Sequence, residues 1–176
     1  MPGDGDDKPL YVALASSPGE ARGFEVLLGP AASARLDLTE GATWRFQGPF
    51  GAGYPIDEAR GKDVLLFAVG SALAPLRPVV EVLRRDRASF GKIILWMGAH
   101  TDADFPYAAD LEAWSQEGID VRRSISKPWV QDVFRSAPVD LANAFAFVCG
   151  MPAMMEGVTE ALTEAGLPAD SIGKNW

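Results

Sequence analysis

Cysteine and histidine are nearly absent from this sequence of 176 residues, which holds one of each, Cys149 and His100. A single cysteine cannot form an internal disulfide, and one cysteine with one histidine cannot supply the usual ligand set of a structural zinc site. We therefore expect no metal centre of that kind. A lone cysteine also favours a reducing compartment, so the sequence predicts a cytoplasmic protein.

Positive charge and long hydrophobic runs are also scarce. The chain carries 16 Lys and Arg against 24 Asp and Glu, a formal net charge of -8, and such a surface repels phosphate backbones and anionic lipid. The longest apolar stretches, 64–69 and 144–149, fall far short of the ~20 residues that span a bilayer. The sequence thus predicts neither a nucleic-acid partner nor a membrane span, and the acidic start, 1–7, predicts a disordered tail rather than a targeting segment.

What is present is typical of a globular protein, with 48% hydrophobic and 23% charged residues. The pattern changes near Lys62, which predicts two parts, 1–61 and 62–176. In the first part, short strand-like stretches alternate with Gly, Pro and Ser clusters. They predict antiparallel strands over 9–16, 23–28 and 42–47.

The second part alternates buried-strand runs with amphipathic helices. This alternation predicts an α/β fold, a doubly wound parallel sheet with helices on both faces, preceded by a reduced antiparallel β module. The predicted strands cover 63–69, 92–96, 120–124 and 145–149, and the predicted helices cover 74–86, 106–116, 129–135 and 152–165.

Small residues follow three of these strands, at 70–75, 98–101 and 149–152. In open parallel sheets ligands bind outside the carboxyl ends of the strands, where small residues let backbone N–H groups approach a phosphate. A dinucleotide fits these three segments at the strand ends, which we call corners. Each residue type also has an ordinary explanation: the glycine at 70 as a turn residue, Cys149 as a small buried hydrophobe, and His100 as an exposed side chain.

Four motifs in order resemble those of the ferredoxin reductase superfamily of flavin and pyridine-nucleotide oxidoreductases, and the resemblance covers nearly the whole chain. They are Gly-Pro-Phe-Gly at 48–51, Gly-Ser-Ala-Leu-Ala-Pro at 70–75, Gly-Ala-His-Thr at 98–101 and Cys-Gly-Met-Pro at 149–152. The last strand of such enzymes is similar to 172–176, which ends in Trp176.

The resemblance implies roles for particular residues. Cys149 would align the nicotinamide ring without acting as a covalent nucleophile, and Trp176 would stack near a flavin; these two are the catalytic candidates. The pyrophosphate path would run past Gly70, Ser71 and Gly150. The other candidates for cofactor binding, NAD or NADP, are Ala72, Ala74, Pro75, Gly98, His100, Thr101 and Met151, of which Ala72 replaces a glycine and His100 replaces an arginine of the family pattern.

The flavin signature of that family is not preserved. Leu10, Val12 and Ala13 stand where the pattern has a phosphate-pairing arginine, a ring-stacking tyrosine and a serine. An aliphatic side chain cannot replace the charged contact. We therefore expect FAD to be weakly held by the isolated chain, or absent. The first half of the family's flavin barrel is also missing, and open strand edges predict a homodimer or a partner chain that completes the barrel.

The implied function is a ferredoxin-reductase-like oxidoreductase, or a component of one, that binds NAD(P)H and transfers electrons through a flavin. A non-catalytic interaction or assembly protein that retained the fold is the alternative. A nucleotide-sensing module without redox activity lies between these two.

Overall fold

The computed structural model of the protein describes residues 9–17 and 23–174. Five strands and five α-helices are formed there, joined by short 3-10 turns. The strands are β1 (Asp63–Val69), β2 (Ile93–Ala99), β3 (Asp120–Ile125), β4 (Ala144–Cys149) and β5 (Ile172–Lys174), and the helices are α1 (Pro30–Ser33), α2 (Arg77–Arg85), α3 (Ala108–Gln116), α4 (Val130–Ser136) and α5 (Pro152–Glu164).

All five strands form one parallel sheet in the order β3-β2-β1-β4-β5. The chain runs outward from β1 through β2 to β3 and then returns to pair β4 with the other side of β1. The strand order therefore reverses between β1 and β4. In open α/β sheets such a switch point leaves a crevice at the carboxyl ends of the strands.

Alternate residues of the central strands enter two cores. Leu66 and its neighbours on one face of the sheet pack with α2 and α3, and Phe67 and its neighbours on the other face pack with α4 and α5. Helices thus cover both faces, and the predicted α/β fold with a doubly wound parallel sheet is confirmed. Element bounds differ from the predicted ones by only a few residues, as in α2, which starts at Arg77 because a 3-10 turn over Gly70–Leu73 precedes it.

The three strands predicted over 9–16, 23–28 and 42–47 are wrong. Among the described residues before β1, the pairing between extended segments is a single antiparallel bridge between Leu14 and Val26. A two-stranded pairing is marginal in water without further strands or a packed face. These segments have strand-like side chains but no neighbouring strands to complete a ladder. The predicted N-terminal tail lies outside the described residues.

Arg77, near the start of α2, connects this N-terminal region to the sheet. Its guanidinium donates to the Ala15 carbonyl oxygen (3.1 Å), pairs with Glu25 (3.0 Å) and Asp110 of α3 (2.7 Å), and stacks over the Tyr107 ring.

No helix within 9–17 and 23–174 combines the length and hydrophobicity that crossing a bilayer requires. The division into 1–61 and 62–176 stays a prediction.

Candidate functional site

The turn after β1 leaves open space beside its first residue. Gly70 has φ +51°, a left-handed conformation that glycine adopts without strain, and a Cβ placed there would meet no atom within 4 Å. Ser71, which follows, is exposed. A Cβ on Gly29 would lie 3.4 Å from the Ser71 hydroxyl oxygen, so the segment before α1 reaches the edge of this turn.

The glycines that follow β2 and β4 are explained by packing. A Cβ on Gly98 would lie 2.9 Å from Val69 and 3.0 Å from Val130, and one on Gly150 would lie 2.7 Å from the Met154 sulfur. Such distances are shorter than real Cβ contacts, so these two positions favour glycine whether or not a ligand binds. Gly70 is therefore the corner glycine whose surroundings leave room for a ligand.

Cys149, at the end of β4, is half-buried beside Tyr54. The Tyr54 hydroxyl donates to the Val148 carbonyl oxygen (3.2 Å), and its ring meets Phe147 edge-on with centroids 5.4 Å apart. Burial raises the pKa of the Cys149 thiol and outweighs the opposing effects of the nearby Tyr54 hydroxyl and Gly150 N–H. Burial also raises the pKa of Tyr54. Both groups are therefore neutral at pH 7, and a neutral thiol is a poor nucleophile.

The loops after β2 and β3 are tied together by hydrogen bonds from Ser126. His100 is exposed, but its carbonyl oxygen accepts a hydrogen bond from the Ser126 hydroxyl (2.8 Å), while the Ser126 N–H donates to the Ala99 carbonyl oxygen (2.8 Å). Thr101 caps the following turn, because its N–H and its hydroxyl both donate to the Asp104 carboxylate, at 3.0 and 2.7 Å. The hydroxyls of Ser126 and Thr101 and the Asp104 carboxylate thus hold this corner together with backbone groups.

Large apolar side chains stand exposed at the same edge of the sheet, among them Ile125 at the end of β3, which is 46% exposed. Trp129, directly before α4, is 48% exposed, and Met151, directly before α5, is 67% exposed. Large side chains of this kind are ordinarily buried, so a group of them at the carboxyl ends of the strands is typical of a ligand or partner contact. A planar aromatic ring is a suitable occupant, because indole and thioether groups both pack well on ring faces.

Strand register brings most of the predicted site residues to one edge. Val69 pairs with Gly98, and Ala68 with Cys149, so the three corners begin at the same level on adjacent strands. Ala74 and Pro75 directly follow the turn after β1, and both are buried. Trp176 lies outside the described residues. The predicted roles of all these residues remain predictions.

Two residues that sequence reasoning did not single out also belong to this edge, Tyr54 and Trp129. Tyr54 follows the Gly-Pro-Phe-Gly motif by three residues, and Trp129 opens the helix after β3. Their common signal is a large aromatic residue at a turn, where a small or polar residue is more usual. That signal is visible in the sequence, but only the fold places both beside the strand ends.

The edge fits a pyridine nucleotide better than it fits a flavin. A dinucleotide phosphate would meet the open Gly70 turn and the N-terminal end of α5, a helix of 13 residues that begins two residues after Gly150. At the positions where the resemblance requires flavin contacts, Leu10, Val12 and Ala13 offer neither charge nor a hydrogen-bonding side chain. At these three positions the chain therefore lacks the side chains that the resemblance requires for holding a flavin.

Comparison with known proteins gives the chain's relatives. The family model described as oxidoreductase NAD-binding domain matches residues 66–160, more than half of the chain. Sulfhydrogenase 1 subunit gamma of Pyrococcus furiosus is 29% identical over 98% of this chain and 63% of its own length. A probable dihydroorotate dehydrogenase B (NAD(+)) electron transfer subunit of Methanopyrus kandleri is 30% identical over 93% of this chain and 61% of its own length. The chain thus spans about six tenths of these curated relatives.

Solved structures show the same fold at low sequence identity. A ferredoxin NADP+ reductase from Neisseria gonorrhoeae, with bound FAD and NADP, superimposes with a TM-score of 0.66 at 16% identity and covers 88% of this chain and 72% of that protein. The CS-b5R domains of human Ncb5or, in the NAD+ form, superimpose with a TM-score of 0.57 at 18% identity, over 74% of this chain and 40% of that one. The likeness shows that the fold is of the ferredoxin reductase type.

Proposed function

The chain belongs to the oxidoreductase NAD-binding domain family, and from this premise we propose that it binds NAD(H) or NADP(H) as the nucleotide-binding part of a ferredoxin-reductase-like electron-transfer protein. The observation that carries the proposal is the open, left-handed turn at Gly70, on the strand beside the switch point and level with Cys149. An open turn in that position is where a sheet of this order binds a dinucleotide.

The proposed path of the nucleotide follows the corners. The pyrophosphate lies against Gly70, Ser71 and Gly150, where backbone N–H groups and the start of α5 favour an anion. The adenosine side lies toward the loops after β2 and β3, with the exposed ring of Trp129 as its apolar wall. Ala72 and Met151 line the path where it bends around the two turns.

The nicotinamide end lies at Cys149. When bound, the nicotinamide ring supplies a hydride, which is the chemistry of the nucleotide rather than of the protein. The protein's part is to place the ring and to exclude water from one side of it. Because burial keeps the Cys149 thiol neutral, the thiol packs against the ring without attacking it.

A partner chain is the second part of the proposal. The two curated relatives described above are named as subunits. In the N-terminal region, Phe24 is 49% exposed, Phe46 56% and Phe50 70%. Such a surface favours burial against another polypeptide, either a homodimer or a different chain that completes the flavin-binding half. We also propose a cytoplasmic location, which rests only on the single cysteine.

The nucleotide proposal is tested by titrating the purified chain with NADH and NADPH in a calorimeter. A matched pair of variants locates the site: Gly70→Ala and Gly61→Ala place a methyl on glycines that both have positive φ and open space. Both changes strain the backbone by about 1 kcal/mol, but only Gly70 borders the proposed path. We expect NADH affinity to fall about tenfold or more in Gly70→Ala and to stay unchanged in Gly61→Ala. No binding to the unaltered chain at millimolar nucleotide would reject the proposal.

The flavin part has a direct test, because flavins absorb visible light. We expect the chain purified alone to be colourless and to gain flavin absorbance only together with its partner. Stoichiometric FAD or FMN that stays on the isolated chain through gel filtration would contradict this expectation.

A non-catalytic assembly protein is the second candidate function. The observation that favours it is the replacement of the flavin contacts by Leu10, Val12 and Ala13, which leaves the fold without an evident electron carrier of its own. The nucleotide titration separates the two candidates, since an assembly protein has no need to bind NADH.

A further inference from the structure

The N-terminal region makes contacts with one short stretch of the chain, the turn after β1 and the start of α2. Two of them come from Arg77, a hydrogen bond to the Ala15 carbonyl oxygen (3.1 Å) and an ion pair with Glu25 (3.0 Å). A further approach lies at Gly29, where an added Cβ would stand 3.4 Å from the Ser71 hydroxyl oxygen. The N-terminal region therefore lies against the same turn that the pyrophosphate is proposed to follow.

Gly29 is held in place by hydrogen bonds to its own carbonyl oxygen. This oxygen accepts from the Ala32 N–H (3.0 Å), the Ser33 N–H (3.0 Å) and the Ser33 hydroxyl (3.1 Å), which fix the chain at the start of α1. The φ of -71° and ψ of 165° at Gly29 are extended values that any residue can adopt. Because the backbone does not require glycine here, the effect of a larger residue would come from its size.

The Ser71 side chain lies on the side of the turn that faces Gly29, next in the chain to the open space at Gly70. Ser71 is exposed, and within 9–17 and 23–174 its hydroxyl has no hydrogen-bond partner. Its carbonyl oxygen accepts from the Ala74 N–H (3.1 Å), which closes the 3-10 turn. The backbone of Ser71 is thus fixed, while its hydroxyl keeps its hydrogen-bonding capacity for a ligand.

We propose that Gly29 is a positioning residue, which by lacking a side chain leaves the Ser71 hydroxyl its place beside the turn at Gly70. The N-terminal region thereby forms one wall of the nucleotide site, and the size of residue 29 sets the room at the turn. This inference rests on the proposed function for its consequence, since Ser71 lies on the proposed path of the pyrophosphate. It adds to that function a residue outside the sheet and outside the four motifs.

A larger residue at position 29 reduces this room in steps that depend on its size. In Gly29→Ala, the methyl group meets the Ser71 oxygen at 3.4 Å, an ordinary contact that leaves the turn as it is. In Gly29→Val, two more methyl groups branch from that carbon and fill the space beside the oxygen. The Ser71 hydroxyl then turns toward Gly70, where the phosphate is proposed to lie.

The first measurement is calorimetric titration with NADH of Gly29→Val, Gly29→Ala and the matched control Gly23→Val. Gly23 is exposed, and an added Cβ there would meet no atom within 4 Å. We expect affinity to fall about 5-fold or more in Gly29→Val, the equivalent of mild overpacking, and by less than about 2-fold in Gly29→Ala. Affinity should stay unchanged in Gly23→Val.

The second measurement tests the wall itself and needs no nucleotide. In Gly29→Val, nuclear magnetic resonance should show Overhauser contacts between the new methyl groups and the β-protons of Ser71. Gly23→Val should show none to Ser71. Thermal unfolding of the three variants confirms that each is folded.

The outcomes separate the two proposals. Absence of the Overhauser contact in Gly29→Val overturns the wall, whatever the nucleotide does. The contact with unchanged NADH affinity, or equal losses of affinity in Gly29→Val and Gly29→Ala, overturns the dependence on size and with it the positioning role. If the unaltered chain binds no NADH, the proposed function fails, and the Overhauser contact still decides whether the N-terminal region lies on this turn.

Discussion

The N-terminal region before β1 and the part of the chain that forms the sheet differ in one respect. Strand-like sequences form paired strands in the sheet part but not in the N-terminal region. In the sheet part, every strand pairs with at least one neighbour, and the central strands are buried on both faces. In the N-terminal region, Phe24 and Phe46 pack edge-on at 4.8 Å and remain about half exposed. Strand-like residues thus form a sheet only where neighbouring strands complete their hydrogen bonds and cover their side chains.

The largest expected difference between the parts is the cost of removing a phenylalanine. Phe67 is fully buried and stacks on Trp96 with centroids 4.6 Å apart, so Phe67→Ala should lower the free energy of unfolding by about 3–5 kcal/mol. Phe46→Ala removes the same ring from a half-exposed position and should cost less than about 1 kcal/mol. Urea unfolding measures both. Equal losses would mean that the N-terminal region is as integral to the fold as the sheet.

Arg77 tests how firmly the two parts are joined. Arg77→Met keeps much of the side chain's apolar length but removes the contacts to Ala15, Glu25 and Asp110. Because these partners are partly exposed, we expect a loss of only about 1 kcal/mol. Hydrogen exchange gives the sharper result: the Ala15 N–H, bonded to the Glu25 carbonyl oxygen, should exchange faster, while amides of β1 should not.

Arg135→Met is the control for this comparison. Arg135 pairs with Glu164 at 3.1 Å on the far side of the sheet, where both side chains are exposed. Its removal should leave exchange at Ala15 unchanged. Faster exchange at Ala15 in this variant would show that any lost surface charge loosens the region, and that Arg77 has no special part.

The sheet was predictable from the sequence because each of its strands and helices has a pattern that is visible within a few consecutive residues. Buried strands and amphipathic helices repeat with their own periods, and a right-handed crossover leaves few ways to assemble them. The N-terminal strands were not predictable in this way, since their formation depends on partners that the sequence of 23–28 or 42–47 does not reveal. For the site, strand ends could be located, but the roles of Gly98 and Gly150 could not, because Val69, Val130 and Met154 approach them only in the folded chain.

The next prediction concerns the reactivity of Cys149, which lies at the end of β4 beside Tyr54 of the N-terminal region. Burial raises the pKa of its thiol above the ordinary value, and the thiolate is the reactive form, so alkylation of the folded chain should reach its half-maximal rate at higher pH than alkylation of the urea-unfolded chain. Iodoacetamide kinetics across a pH series measure the difference. Coinciding profiles would mean that the thiol is accessible and solvated in the folded protein.

The smallest expected effect lies in the loops at the carboxyl edge. Ser126→Ala removes the hydroxyl that donates to the His100 carbonyl oxygen and should cost about 0.5–1 kcal/mol, the value of one exposed hydrogen bond. His100→Ala should change stability by less than about 0.5 kcal/mol, because the backbone carbonyl is kept and the imidazole is exposed. Thermal unfolding of both variants distinguishes them. A larger loss of stability in His100→Ala than in Ser126→Ala would mean that the imidazole, and not the His100 carbonyl group, stabilises this loop.

The hydrogen bonds that fix Ser126 affect the entropy of binding for any ligand that contacts this loop. Its φ of +55° is unusual for a residue other than glycine, and two hydrogen bonds hold it there against the loop after β2. The Trp129 N–H, three residues on, donates to the Asp132 carboxylate at 3.3 Å. A loop fixed before a ligand arrives has little conformational entropy left to lose, so binding against Trp129 should carry a smaller entropic penalty than binding to a loop that must first be ordered.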